Sequence, residues 1–153
     1  MTIKLKTNGL SRALRDIRKA AQQAAADSFA TVGVHESAGI YVKDGQTTAT
    51  VAAANHFGTD HIPARPFLDK GVEREKDTIT KESLRLLKRG VPIVRVLEAV
   101  GTIAVRGIQQ QIDETFEPPN SPETIKRKGS SHPLIDTGHL RQSISFEIHK
   151  GGR

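Results

Sequence analysis

Pro92-Ile93-Val94-Arg95-Val96-Leu97-Glu98-Ala99-Val100-Gly101-Thr102-Ile103-Ala104-Val105-Arg106-Gly107-Ile108-Gln109-Gln110-Gln111-Ile112 carries the longest apolar rhythm in the chain. Ile93, Leu97, Val100, Ala104, Ile108 and Ile112 recur at steps of three and four, the spacing of one helix face. Pro92 suits the opening of that helix, where its missing amide costs nothing. Gly101 and Gly107 lower helix propensity inside it, so they are expected to mark close approach of another backbone. Near the carboxy terminus the rhythm changes. Ser143-Ile144-Ser145-Phe146-Glu147-Ile148 has period two, with Ile144, Phe146 and Ile148 on one side, which predicts a half-buried strand. Helical and strand rhythms in separate stretches predict an α+β fold: an antiparallel sheet packed with amphipathic helices, in a single domain spanning 1–153.

Upstream of the central helix, Ile62-Pro63-Ala64-Arg65-Pro66 excludes regular helix, because two prolines hold the backbone extended and remove two amide donors. Pro66 is placed to start a helix with Leu68, Val72, Ile79, Leu86 and Leu87 near one face, and Gly90 reads as its stop. Val32 and Val34 alternate with Thr31, Gly33 and His35 as a strand would. Ile40-Tyr41-Val42 followed by Asp44-Gly45 predicts a hairpin with a return strand from Gln46 to Val51. Ala52, Ala53 and Ala54 favour a helical turn ended by Gly58, and the strand-to-helix boundary there stays open. The first segment, Leu10 to Ser28, has Leu10, Leu14, Ile17, Ala21 and Ala24 at helical spacing, with Asn8 as N-cap and a basic outer face. From Glu117 to His132 the chain is rich in Pro, Ser and Lys and is expected to form an extended loop, ordered by function or by a partner.

The 153 residues suffice for one core. With 36% hydrophobic and 26% charged residues the chain is globular rather than disordered. Aromatics are only 4%, so the core must be aliphatic. Absence of cysteine excludes disulfides, thiolate nucleophiles and Cys-based zinc sites. Lysines interrupt Met1-Thr2-Ile3-Lys4-Leu5-Lys6 where a signal peptide needs an apolar core. No run approaches the roughly 18 apolar residues of a membrane span. A soluble protein made in the cytoplasm, with no membrane partner, is the expectation. The formal charge of +6 fits nucleic acid, an acidic protein partner, or neither.

Signals for catalysis are weak. His56 and His61 flank a glycine turn, but two imidazoles with only Asp60 between them fall short of a tetrahedral metal site. His35-Glu36 begins like a zinc-protease helix, yet the second His position is occupied by Gly39. Asp113, Glu114 and Glu117 close an amphipathic helix, where a solvated face explains them. No nucleophile elbow or phosphate-binding glycine loop is present. The reading is therefore no enzyme, no cofactor, no metal and no catalytic residue. Lys126-Arg127-Lys128 and the amino-terminal arginines suit phosphates, but interleaved aromatics for base stacking are missing.

Two stretches carry a family resemblance. Asn55-His56-Phe57-Gly58-Thr59 with Ile62-Pro63-Ala64-Arg65-Pro66-Phe67-Leu68, then Ser121-Pro122-Glu123-Thr124-Ile125-Lys126-Arg127-Lys128-Gly129 with Pro133-Leu134-Ile135-Asp136-Thr137-Gly138-His139-Leu140-Arg141-Gln142-Ser143-Ile144, resemble phage tail-completion or neck proteins. These include lambdoid-type families and the virion-morphogenesis proteins of Mu-like phages and prophages. The resemblance covers most of the chain from about Val32 onward. His56 departs from it, since relatives often carry Glu before the Phe-Gly pair.

The resemblance implies a non-catalytic virion protein at the head–tail joint, assembled in the host cytoplasm. It implies a ring of commonly about six copies between the connector or adaptor and a tail-terminator or tail-tube protein. Phage DNA would pass through the ring without sequence recognition. A strongly basic bore would grip phosphates, so the basic excess is expected to face acidic neighbours or the outside. Candidate motif or interface residues are Phe57, Gly58, Thr59, Pro63, Arg65, Pro66, Phe67, Lys126, Arg127, Lys128, Asp136, Thr137, Gly138, Leu140 and Arg141. Phe57 is expected to anchor a turn that Gly58 permits. Arg65 is expected to be presented rigidly to a carboxylate, and Asp136 to cap the turn at Thr137-Gly138. Two alternatives remain: a basic nucleic-acid-binding protein acting in genome packaging, and a tail-tube or tail-terminator subunit.

Overall fold

A computed structural model describes Arg15, residues 28–39 and residues 45–150. The elements are β1 (Ser28–Val34), a 3-10 turn (Glu36–Ala38), α1 (Thr48–Phe57), α2 (Phe67–Lys88), α3 (Ile93–Glu114), α4 (Pro122–Lys128), α5 (His139–Gln142) and β2 (Ile144–Lys150). The fold is α+β, with an antiparallel sheet and amphipathic helices.

β1 and β2 pair antiparallel in the register Val32↔Phe146 and Val34↔Ile144, with the helical body inserted between them. The period-two reading of the last strand holds. Ile144 is buried and Phe146 and Ile148 are half-buried, while Ser145, Glu147 and His149 are exposed. The exposed side carries a hydrogen-bonded row. Thr31 Oγ1 lies 3.2 Å from His35 Nε2 and 3.0 Å from His149 Nε2, and His35 Nδ1 lies 2.9 Å from Ser145 Oγ.

α2 and α3 form an antiparallel helical hairpin, each 22 residues long. Gly90 ends α2 as expected. Its φ is +72°, its amide donates to Leu87 O at 3.0 Å, and Val91 N donates to Leu86 O at 3.1 Å. This is the paired closure of a Schellman cap. Gly107 marks a backbone crossing, since a Cβ built there would sit 2.5 Å from Gly71 O. Gly101 does not: its neighbour is the ring of Phe146, 2.5 Å from a built Cβ. One glycine therefore admits a helix and the other a side chain of the sheet. Arg74 adds a two-pronged tie to Glu114, at 2.6 and 3.0 Å. That contact, with help from Gln110, holds the Glu114 carboxyl below the usual carboxylate range.

The core gathers Ala52, Phe67, Ile108, Ile112, Leu134, Leu140 and Ile144. Burying a side chain of the Ile or Phe class is worth about 1.5–3 kcal/mol, so the fully buried Phe67, Ile108 and Ile112 anchor α2 against α3.

Two expectations need correction. The return strand from Gln46 to Val51 is absent, because Thr47 caps α1 by accepting from Thr50 N at 3.1 Å and helix begins at Thr48. Ile40-Tyr41-Val42 and Asp44 lie outside the described residues. The stretch from Glu117 to His132 is not loop throughout, since α4 occupies its middle. The amino-terminal helix lies outside the described residues except for Arg15 and Ser28, and Ser28 belongs to β1.

Candidate functional site

Residues 55–68 and 121–144, far apart in sequence, meet around one cleft of about 700 Å³. α1 and the turn after it contribute Val51, Ala54, Asn55, His61, Ile62 and Pro63. Pro119, Asn120 and α4 contribute the opposite side through Ser121, Thr124, Arg127 and Lys128, and Pro133, Leu134, Asp136, His139 and Leu140 complete the lining. Arg65, Pro133, Leu134 and Leu140 are buried and form the inner wall. His61, Pro63, Ser121 and Arg127 are exposed at the rim.

Local sequence explains each wall. Gly58 has φ +79°, and a Cβ there would meet Ala64 N at 2.8 Å and Ile62 O at 2.9 Å. Only glycine lets the chain double back so tightly. Thr59 Oγ1 then accepts from His61 N at 3.2 Å and from Ile62 N at 3.0 Å, and Thr59 N donates to Ile62 O at 2.8 Å. Arg65 N closes the loop onto Asn55 O at 2.8 Å.

On the other side Ser121 is the N-cap of α4, accepting from Thr124 N at 3.2 Å, and Pro122 fills the first turn. Gly129, at φ +73°, ends the helix. Lys128 Nζ reaches past that end to donate to His132 O at 3.0 Å and Pro133 O at 3.2 Å. Ser121→Ala is expected to destabilise the protein by about 1 kcal/mol, the usual worth of such a cap. Urea unfolding midpoints read it, and an unchanged midpoint would mean α4 is held without its cap.

Arg65 joins the two walls. It is 3% exposed, and its guanidinium donates from Nε to Pro118 O at 2.8 Å and from Nη2 to Pro119 O at 3.2 Å. Longer contacts of 3.5 Å run to Asn55 Oδ1 and Asn120 Oδ1. The expected carboxylate partner is replaced by carbonyls of its own chain. Burial lowers the Arg65 pKa from its ordinary value, yet a guanidinium stays charged at any physiological pH.

The remaining candidates divide by burial. Phe67 and Leu140 are core residues, and Leu140 also backs the inner wall of the cleft. Phe57 is 77% exposed, so it anchors no interior turn, and its ring lies in a T-shaped contact with that of His56, 4.6 Å between centroids. Thr59, Pro63, Lys126, Arg127 and Thr137 are exposed, while Pro66, Gly138 and Arg141 are half-buried. Arg141 pairs with Asp113 at 2.8 and 3.0 Å, fixing α5 to the end of α3. Gly138 holds the N-cap position without a side-chain cap, and Thr137 Oγ1 accepts from His139 N at 3.4 Å.

His56 and His61 are not brought together as ligands. His56 is buried against Phe67 with Nε2 3.4 Å from Asp69, whereas His61 lines the cleft. Among the described residues no group of three or more His, Cys, Asp or Glu side chains is arranged to hold a metal ion. No helix among them is long and apolar enough to cross a membrane.

The cleft as a unit was not visible in the sequence. Its available signal was the recurrence of cap and turn residues in both stretches, namely Gly58, Pro63, Ser121, Pro122 and Gly129. Comparison with protein-family models, with curated proteins and with solved structures found no match.

Proposed function

We propose that this chain is a structural subunit of a tailed-phage virion, of the tail-completion or neck type, and that it performs no catalysis. The observation that carries the reading is the ordered pair of family-like stretches, which line one cleft, with Arg65 of the first tied to Pro118 and Pro119 just ahead of the second. In this reading copies of the chain form a ring at the head–tail joint, packed between the connector and the tail. DNA passes without being read.

Peptide mass spectrometry and cryo-electron microscopy of purified particles test the reading. The chain is expected in the finished virion, as a ring at the neck. A position along the tail tube would move it to the tail-tube alternative, and absence from finished particles would overturn a structural role. A salt series of duplex DNA binding addresses the packaging alternative. Weak binding is expected, whereas tight binding with a steep salt slope would favour a packaging protein.

A further inference from the structure

We propose that the cleft between α1 and α4 is a receptor for an acidic peptide segment of an adjoining subunit, with Arg65 and Arg127 receiving its carboxylates. The inference rests on the structural-subunit reading and supplies the partner chemistry of that same site.

Charge is the first argument. Among the described residues, Arg65, Arg127 and Lys128 line the cleft together with one carboxylate, Asp136. The acceptors around Arg65 are all neutral: two backbone carbonyls and two amide oxygens. A buried charge held only by dipoles keeps a field that an incoming anion can satisfy. Arg127 is exposed on the rim and has no hydrogen bond or ion pair among the described residues. One guanidinium is thus fixed in the wall and a second is free to close over a ligand.

Shape and lining are the second argument. Val51, Ile62, Pro63, Pro119, Leu134 and Leu140 supply apolar surface between the cations. A cleft of about 700 Å³ holds a few residues of extended chain. Prolines at two sides lose little freedom when a peptide docks. Nucleic acid fits worse. A duplex does not enter such a space, the described lining has no Phe, Tyr or Trp for a base to stack on, and neutralising about two phosphates yields a shallow salt dependence.

The test uses the full chain, labelled with nitrogen-15, and a probe tetrapeptide of two aspartates flanked by leucines. Amide shifts are expected to concentrate at Ala54, Asn55, Ile62 and Leu134. The probe with asparagines in place of aspartates is expected to bind at least about tenfold more weakly, the loss of charge-assisted contacts. R127E, at an exposed position that leaves the fold intact, is expected to weaken the aspartate probe by about tenfold or more and to leave the asparagine probe unchanged. Arg127→Lys is expected to retain most of the affinity. Equal binding of the two probes, shifts scattered away from the cleft, indifference to R127E, or stronger binding of a short DNA duplex would each overturn the proposal. The outcomes are separable from those of the virion test. A chain present in the neck but indifferent to the probe refutes only the receptor, and a chain that binds the probe but is absent from particles refutes only the virion role.

Discussion

Replacing Gly71 by alanine is expected to destabilise the protein by about 3 kcal/mol and to lower its melting midpoint by about 6–12 °C. Helix propensity argues the other way, since alanine is favoured over glycine in a helix interior by about 1 kcal/mol. The crossing overrules it. A Cβ at Gly71 would lie 2.5 Å from Ile108 Cα and 2.8 Å from Ile108 N, both backbone atoms of the facing helix. Backbone cannot rotate away as a side chain can, so α2 and α3 must separate and Ile108 must lose its packing. Gly107 occupies the reciprocal position, where a built Cβ would lie 2.5 Å from Gly71 O, and its alanine variant is expected to behave alike. Gly101→Ala is the internal control, because the obstacle there is the Phe146 ring. Its cost is expected near 1 kcal/mol and should fall when Phe146→Leu is added, since a ring shifts where a backbone does not. Thermal and urea unfolding read all three. Wild-type stability in Gly71→Ala would mean that the helices do not cross at this pair.

What the sequence disclosed of the fold was what periodicity and caps can encode. The three-and-four stripe through Ala104, Ile108 and Ile112 marked the buried side of α3, and alternation marked β2. Gly90 announced the end of α2 through the positive φ that its position requires. Where composition was read in place of caps, the reading failed. Ser121-Pro122-Glu123 and Lys126-Arg127-Lys128-Gly129 hold an N-cap, a first-turn proline, an early acid, late bases and a closing glycine. Those are helix signals in order, although the same residues tallied as Pro, Ser and Lys suggest a loop. Asp44-Gly45 misled in the opposite direction. A turn dipeptide specifies a bend but not a strand after it, and the Thr47 cap sets helix instead.

The site was harder to read for a different reason. Its walls are local motifs, but its coherence depends on contacts that no local pattern encodes. Arg65 Nε finds Pro118 O 53 residues onward, and a carbonyl has no sequence signature as a partner. The expectation of a carboxylate followed from the usual habit of arginine; backbone carbonyls are the alternative that proximity in space selected. Phe67 and Leu140 show a related ambiguity. An apolar residue inside a motif reads equally as core or as contact surface, and burial alone distinguishes them.

Arg65→Met is therefore the variant expected to separate a structural tie from a surface contact. Methionine keeps the apolar length of the side chain and removes every donor. Pro118 O and Pro119 O would lose a charged donor, and each such hydrogen bond is worth about 1.5–3 kcal/mol. Removal of an uncompensated buried charge offsets part of this, and water entering from the cleft offsets more. A net loss of about 2–4 kcal/mol is expected, and about half of that for Arg65→Lys, which keeps the charge but not the fork. The damage should also be local. With the tie to the proline pair gone, α4 is expected to open more often, so trypsin should cut after Lys126 or Arg127 about tenfold faster than in the wild type. Arg127→Lys, which preserves both the charge and the cleavage site, should show no such acceleration. Unfolding midpoints together with timed digestion measure both effects. Should Arg65→Met match the wild type in each, the guanidinium would not be what holds the two walls together, and its burial would need another cause.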